Sequence, residues 1–158
     1  MQIEHHFQVQ VEWQGNRGSG TSGHRAYSRE HLITSEGNPS ISGSAHRAFH
    51  GDAERWNPEE MLIAALSQCH MLSYLYVATA NGIVVESYRD EASGTIEQTT
   101  DGGGHFTSVT LRPHVEISAG DPGLALSLHG EANEKCFIAS SVNFPVLHEA
   151  IIRTRPGD

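Results

Sequence analysis

The sequence predicts an α+β domain built mainly on antiparallel sheet. Three observations carry that expectation: Phe7–Trp13 alternates apolar and polar residues, one long apolar helix has stop signals at both ends, and two extended runs flank a glycine turn. The 158 residues suit one domain (1–158) with a sizeable core. A hydrophobic share of 37%, with 16 glycines beside it, marks a folded rather than a disordered chain.

Phe7, Val9, Val11 and Trp13 alternate with Gln8, Gln10 and Glu12, the period of a half-buried strand. Gly15 to Gly23 is a glycine- and serine-rich turn region carrying Arg17. A second extended stretch covers about Ala26 to Thr34, closed by Glu36-Gly37-Asn38-Pro39. Residues 35–56 show no period and read as loop with one short strand; a connection of that length is often functional.

Asn57-Pro58-Glu59-Glu60 places a capping Asn, a Pro at the first helical position and a Glu at the third. Asn81-Gly82 supplies the stop. Between them, Met61 to Ala80 is apolar or small almost all round, so a central helix of roughly 36 Å, buried on most faces, is expected. A membrane span is the competing reading, and Ser67, Gln68, His70, Ser73 and two tyrosines inside the segment argue against it.

Ile83 to about Gln98 is expected as one long strand, turning through Asp101-Gly102-Gly103-Gly104 into a second. There Val109, Leu111, Val115 and Ile117 alternate with Thr110, Arg112, His114 and Glu116. Asp121-Pro122 opens a second helix with Leu124, Leu128, Ala132 and Cys136 at i+4 steps. Val142, Phe144 and Val146 predict a last strand.

Nineteen Asp and Glu stand against ten Lys and Arg, a net charge of −9, which speaks against a nucleic-acid partner. Lys135 is the only lysine, so no polybasic membrane patch exists. Met1 to Gln10 holds no apolar stretch, which predicts no signal peptide. The two cysteines, Cys69 and Cys136, are too few for a secreted disulfide scaffold. A cytoplasmic protein is expected, and in that compartment a cysteine pair is more often reactive than structural.

Eleven histidines raise the question of a metal. His46 and His50 are four apart but in the expected loop, where that spacing sets no common face. His-Glu-x-x-His and a second cysteine pair at zinc spacing are lacking. No metal or other cofactor is expected. Neither a nucleophile elbow nor a phosphate loop is present. Cys69 and Cys136 have a simple reading as small core residues, since reactivity depends on surroundings that composition does not show.

Asn57-Pro58-Glu59-Glu60, then Ala-Ala-Leu-Ser-Gln-Cys69, Asn81-Gly82-Ile83, a hairpin and a distal Cys136 with serine beyond it together resemble the OsmC/Ohr family. These are the osmotically inducible and organic hydroperoxide resistance proteins, and the likeness covers about residues 7–153. It implies an intertwined homodimer of α+β subunits, with antiparallel sheets around long central helices and active sites at the interface. It also implies a thiol-dependent peroxidase acting on organic hydroperoxides, with hydrogen peroxide as an alternative substrate, regenerated by an external dithiol. By matching position, Cys69 would be the peroxidatic cysteine, Cys136 the resolving one and Glu59 the family's carboxylate. The family's arginine, which Glu59 would tether, is best matched by Arg47, with Arg17 and Arg55 as further candidates. The family's Cys-Pro-x-Ser stands here as Cys136-Phe137-Ile138-Ala139-Ser140-Ser141, without the proline restraint.

Two other readings stay open. One is a non-catalytic small-molecule-binding protein of the same fold with idle cysteines. The other is acyl transfer at Cys69, for which His70 is a poor base because neighbours on a helix point apart. Glu59 and Cys69 are ten residues apart, ~15 Å along an unbroken helix. If Glu59 serves a thiol, it is therefore expected to be that of the partner subunit.

Overall fold

The computed structural model describes residues 1–156. The chain forms two compact units, Met1–Met61 and Leu62–Asp158. In the first, β1 (Gln10–Trp13), β2 (His31–Thr34) and β3 (Ile41–Gly43) make one antiparallel sheet in that order. Trp13 pairs with His31, and His31 with Gly43, across the three strands. β1 is shorter than the alternation suggests: Phe7 and Val9 precede it and are 94% and 67% exposed.

The stretch after β3 holds a 3-10 turn, Arg47–Phe49, and is tied down by the buried Ser44. The Ser44 N–H donates to the Trp56 carbonyl at 2.8 Å, and its Oγ accepts from the Asp52 N–H at 3.0 Å. Gly51 passes so close to this bend that a Cβ there would lie 1.6 Å from the Ala45 carbonyl oxygen, so no other residue fits. The loop is thus closed on itself just before the helix.

α1 runs Pro58–Ala80, 23 residues without a break. Asn57 Oδ1 accepts from the Glu60 N–H at 2.9 Å, the expected cap. At the far end Gly82 takes φ 73° and the Ile83 N–H reaches back to the Ala78 carbonyl at 3.0 Å, a Schellman closure. The burial differs from expectation. Leu66, His70, Tyr74 and Ala78 form a buried stripe at i+4 steps, with Val77 beside it, while Leu72 and Tyr76 are 61% and 71% exposed. One chain's sheets cover only one stripe of a helix that is apolar all round. By length and composition α1 could also cross a membrane, yet its stripe packs into a folded core.

In the second unit the expected strand Ile83–Gln98 is two strands, β4 (Val84–Asp90) and β5 (Ser93–Gln98). The returning arm is likewise two, β6 (Gly104–Leu111) and β7 (Pro113–Ala119). After α2 (Pro122–Lys135) come β8 (Val146–His148) and β9 (Ile151–Thr154) in place of one strand at 142–146. The long hairpin therefore bends into two sheets, β4-β7-β9 and β5-β6-β8. Asp90 holds the bend: its carboxylate accepts from the Arg112 N–H at 2.6 Å and from the Ser67 hydroxyl of α1. β8 and β9 join β6 and β7 in parallel, an addition to the antiparallel plan.

Tyr74, Val77 and Ala78 pack with Val115, Ile117 and Leu128 in one apolar cluster, and Leu66 with Val109 and Leu111 in another. α2 is capped by Asp121, whose carboxylate accepts from the Leu124 N–H at 2.7 Å. Ala125, Leu128, His129 and Ala132 form its buried face, Leu124 is exposed, and Cys136 stands just past the helix as its C-cap.

Candidate active site

Cys69 lies half-buried in the middle of α1, and Cys136 is buried at the end of α2. The two free thiols are close enough for Cys69 to act on the Cys136 thiol. The turn after Cys136 holds it without a proline: the Ala139 N–H donates to the Cys136 sulfur at 3.4 Å, and the Ser140 N–H to the Cys136 carbonyl at 3.0 Å. Burial pushes the Cys136 thiol up to about 11; the Ala139 N–H opposes this and the Cys69 thiol adds to it. Cys136 therefore stays a protonated thiol at neutral pH beside a more accessible Cys69. Chemically, such a pair can close to a disulfide and reopen.

A cluster that the sequence reading missed sits in the same unit. His70 of α1 and His129 of α2 are both buried, with His70 Nε2 and His129 Nδ1 3.0 Å apart. Tyr74 stacks on His129 at 3.9 Å between ring centres, and His148 of β8 stacks near His70 at 5.7 Å. Burial pushes His70 down to about 4, helped by His148 and opposed by Asp90. Burial also takes His129 down to about 3, with His70 and His148 adding to the effect. Burial drives the Tyr74 hydroxyl up to about 12 and the Tyr88 hydroxyl still higher, the latter helped by Asp90 and Tyr74. The signal in the sequence was a histidine at a core position of the i+4 stripe Leu66–His70–Tyr74.

The remaining site residues from the sequence lie in the first unit. Glu59 borders an open cleft of about 320 Å³ with Trp13, Tyr27, Arg29, His31 and Phe49, and its Oε2 is buried with no hydrogen-bond partner. Arg29 lies over the Tyr27 ring at 4.2 Å and donates to the His24 and Tyr27 carbonyls at 2.8 and 3.1 Å. Arg47 is exposed in the 3-10 turn and does not border this cleft, although His46 and Phe49 do. Arg17 lines a neighbouring polar cleft of about 600 Å³ with Arg25, His50 and Asp52, and Tyr27, Arg29 and Ser44 border both clefts. Arg55 is engaged with Glu30 and Asp52 at 3.9 and 3.6 Å. Arg29, which no motif marks, is thus the arginine that shares a cleft with Glu59. Among the described residues, no group of three or more His, Cys, Asp or Glu is arranged to hold a metal ion.

Fold and thiols together describe an α+β protein with two free cysteines. The chain belongs to the OsmC-like protein family, whose model matches residues 51–149. It is similar to the uncharacterized protein YmaD of Bacillus subtilis (strain 168), 27% identical over 144 residues, 88% of this chain and 87% of that protein. An OsmC-like protein of unknown function from Vibrio cholerae is similar in structure, with a TM-score of 0.84 and 32% identity, over 94% of this chain and 100% of that one. An organic hydroperoxide resistance protein OsmC from Legionella pneumophila shares the fold with a TM-score of 0.64 at 17% identity, over 94% of this chain and 98% of that one.

Proposed function

We propose that this protein is a thiol peroxidase that reduces organic hydroperoxides. The observation that carries the reading is the pair of apposed thiols in unequal surroundings, Cys69 half-buried and Cys136 buried and protonated. The Cys69 thiolate attacks the terminal oxygen of R–O–OH; the S–O bond forms as the O–O bond breaks, and the alkoxide leaves and takes up a proton as ROH. Cys69 is left as a sulfenic acid. The Cys136 thiol attacks that sulfur, its proton departs with the hydroxide as water, and a Cys69–Cys136 disulfide forms. An external dithiol exchanges with the disulfide and restores both thiols.

A thiolate in an apolar helix needs a cation beside it. Arg29, in the cleft that Glu59 borders, is our candidate ahead of the exposed Arg47. The working form in this reading is a homodimer in which Glu59 serves the partner's thiol. The exposed apolar residues Leu72 and Tyr76 on α1 support a second copy covering that face. A cytoplasmic location fits, because a reducing compartment keeps both thiols available.

Counting free thiols before and after one equivalent of cumene hydroperoxide tests the reading. Two thiols per chain should vanish and return with dithiothreitol. If both survive, the protein is a binding protein with idle cysteines and the peroxidase reading is lost.

A further inference from the structure

The geometry points to His70 and His129 as positioning residues of the dithiol: their paired imidazoles dock α2 on α1 and so set the approach of Cys136 to Cys69. The inference rests on the reading of Cys69 and Cys136 as a working dithiol. Besides apolar packing and the Tyr74 contacts, two polar approaches join α2 to α1: that of the two thiols at the C-cap, and the 3.0 Å contact between His70 Nε2 and His129 Nδ1. His129 and Cys136 are seven residues apart, two turns and ~10 Å along one face. Movement of α2 at His129 is therefore carried to the sulfur of Cys136. Disulfide closure tolerates little such movement, since the Cα atoms must come within about 7 Å with the Cβ atoms turned toward each other.

The pair is held from several sides. Tyr74 of α1 stacks flat on His129, and its hydroxyl donates to the Ala125 carbonyl of α2 at 2.9 Å. His148 of β8 lies against both imidazoles, at 5.7 and 6.2 Å between ring centres. From β4, Asp90 acts on His70 and Tyr88 lies beside Tyr74; Ser67 of α1 holds the Asp90 carboxylate. A neutral pair shares one bridging proton, and its outer nitrogens, His70 Nδ1 and His129 Nε2, have no partner. With those outer atoms unpaired, the bridge is the polar link that repays bringing the two imidazoles together. Tyr74 could stack on any flat side chain; the bridge requires nitrogens at these two positions.

Isosteric amides separate position from polarity. His70→Gln puts an amide nitrogen where Nε2 stands, and His129→Asn puts one where Nδ1 stands, so both keep the bridge. His70→Asn and His129→Gln carry the same group to the outer position and break it. Each protein is equilibrated with reduced and oxidised glutathione at pH 7, where the dithiol and glutathione disulfide interconvert with the protein disulfide and two glutathione thiols. Alkylation and mass analysis give the effective concentration of Cys136 at Cys69. We expect the bridge-keeping variants to stay within about threefold of the parent and the bridge-breaking ones to fall roughly tenfold, the size of one buried hydrogen bond. Equal values in keepers and breakers would overturn the proposal, as would a parent that forms no Cys69–Cys136 disulfide at any glutathione ratio. Hydroperoxide plays no part in this equilibrium. A parent that forms the disulfide but is inert to cumene hydroperoxide would end the peroxidase reading and leave the positioning role standing.

Discussion

Acid should weaken this protein through the histidine pair by an amount that can be worked out. An unfolded histidine takes up a proton near 6.5, whereas folded His70 does so only near 4, because burial and His148 disfavour the charge more than Asp90 favours it. Between those two values the unfolded chain binds more protons than the folded one, so stability falls as pH falls. The His70 contribution is complete above about pH 6.5 and fully lost below about pH 4. At pH 4.5 the contribution lost from His70 is about 2.5 kcal/mol. His129, held near 3 by burial and by its two histidine neighbours, acts in the same direction. With a urea slope of about 2 kcal/mol per molar, the His70 share alone moves the midpoint by roughly 1 M. The assay is urea unfolding at pH 7.5 and pH 4.5, for the parent and for a His70→Gln, His129→Asn double variant that keeps the bridge but does not titrate. Carboxylates lower both proteins alike, so the quantity of interest is the difference between the two drops. The parent should lose at least about 1 M more than the double variant, since the variant removes both titrations. Equal drops would refute the reasoning.

Cys69→Ser should abolish hydroperoxide consumption, while Cys136→Ser should react once and leave a sulfenic acid that dimedone traps; equal single-turnover reactivity at Cys136 in Cys69→Ser would reverse the roles. Arg29→Ala should slow iodoacetamide alkylation of Cys69 at pH 7 about tenfold, and Arg47→Ala by less than twofold; the opposite order would return the role to Arg47. Mixing inactive Glu59→Ala with inactive Cys69→Ser under subunit exchange should restore up to about one working site per heterodimer. No recovery, with exchange confirmed by mass, would show that Glu59 does not serve a partner's thiol.

What the sequence revealed of the fold is what short-range chemistry decides. α1 begins and ends where Asn57-Pro58 and Asn81-Gly82 place it, and α2 begins at Asp121, because each cap is satisfied by atoms within a few residues. The bend at Glu91-Ala92 is poorly marked for the opposite reason. Ser93-Gly94 is a weak turn signal in the run from Ile83 to Gln98, but the placing of the break depends on Asp90 being held by Ser67 and by the Arg112 N–H, 23 and 22 residues away. β8 and β9, at three and four residues, are too short to show a period, and their parallel pairing is set by where α2 returns the chain. The burial of α1 within one chain is less than its composition suggests, because a helix that is apolar all round does not say how many of its sides one chain covers.

The site follows the same division. The spacing from Asn57 marks Cys69, a local signal, whereas its contact with Cys136 is created by the end of a distant helix. His70 is a poor base for Cys69 because adjacent helix positions point about 100° apart. That geometry is also what gives His70 its place. Cys69 turns toward the C-cap of α2 while His70 turns toward the middle of the same helix, where His129 meets it. Two neighbours of a single turn thus hold α2 at two points along its length, and two points fix a helix in a way that one contact does not. The apolar stripe of α1 positions α2 by burial, but apolar packing tolerates sliding, and the hydrogen bond between His70 and His129 does not. On the proposed positioning role, holding the register of α2 is the physical reason for accepting the desolvation cost of a buried polar pair.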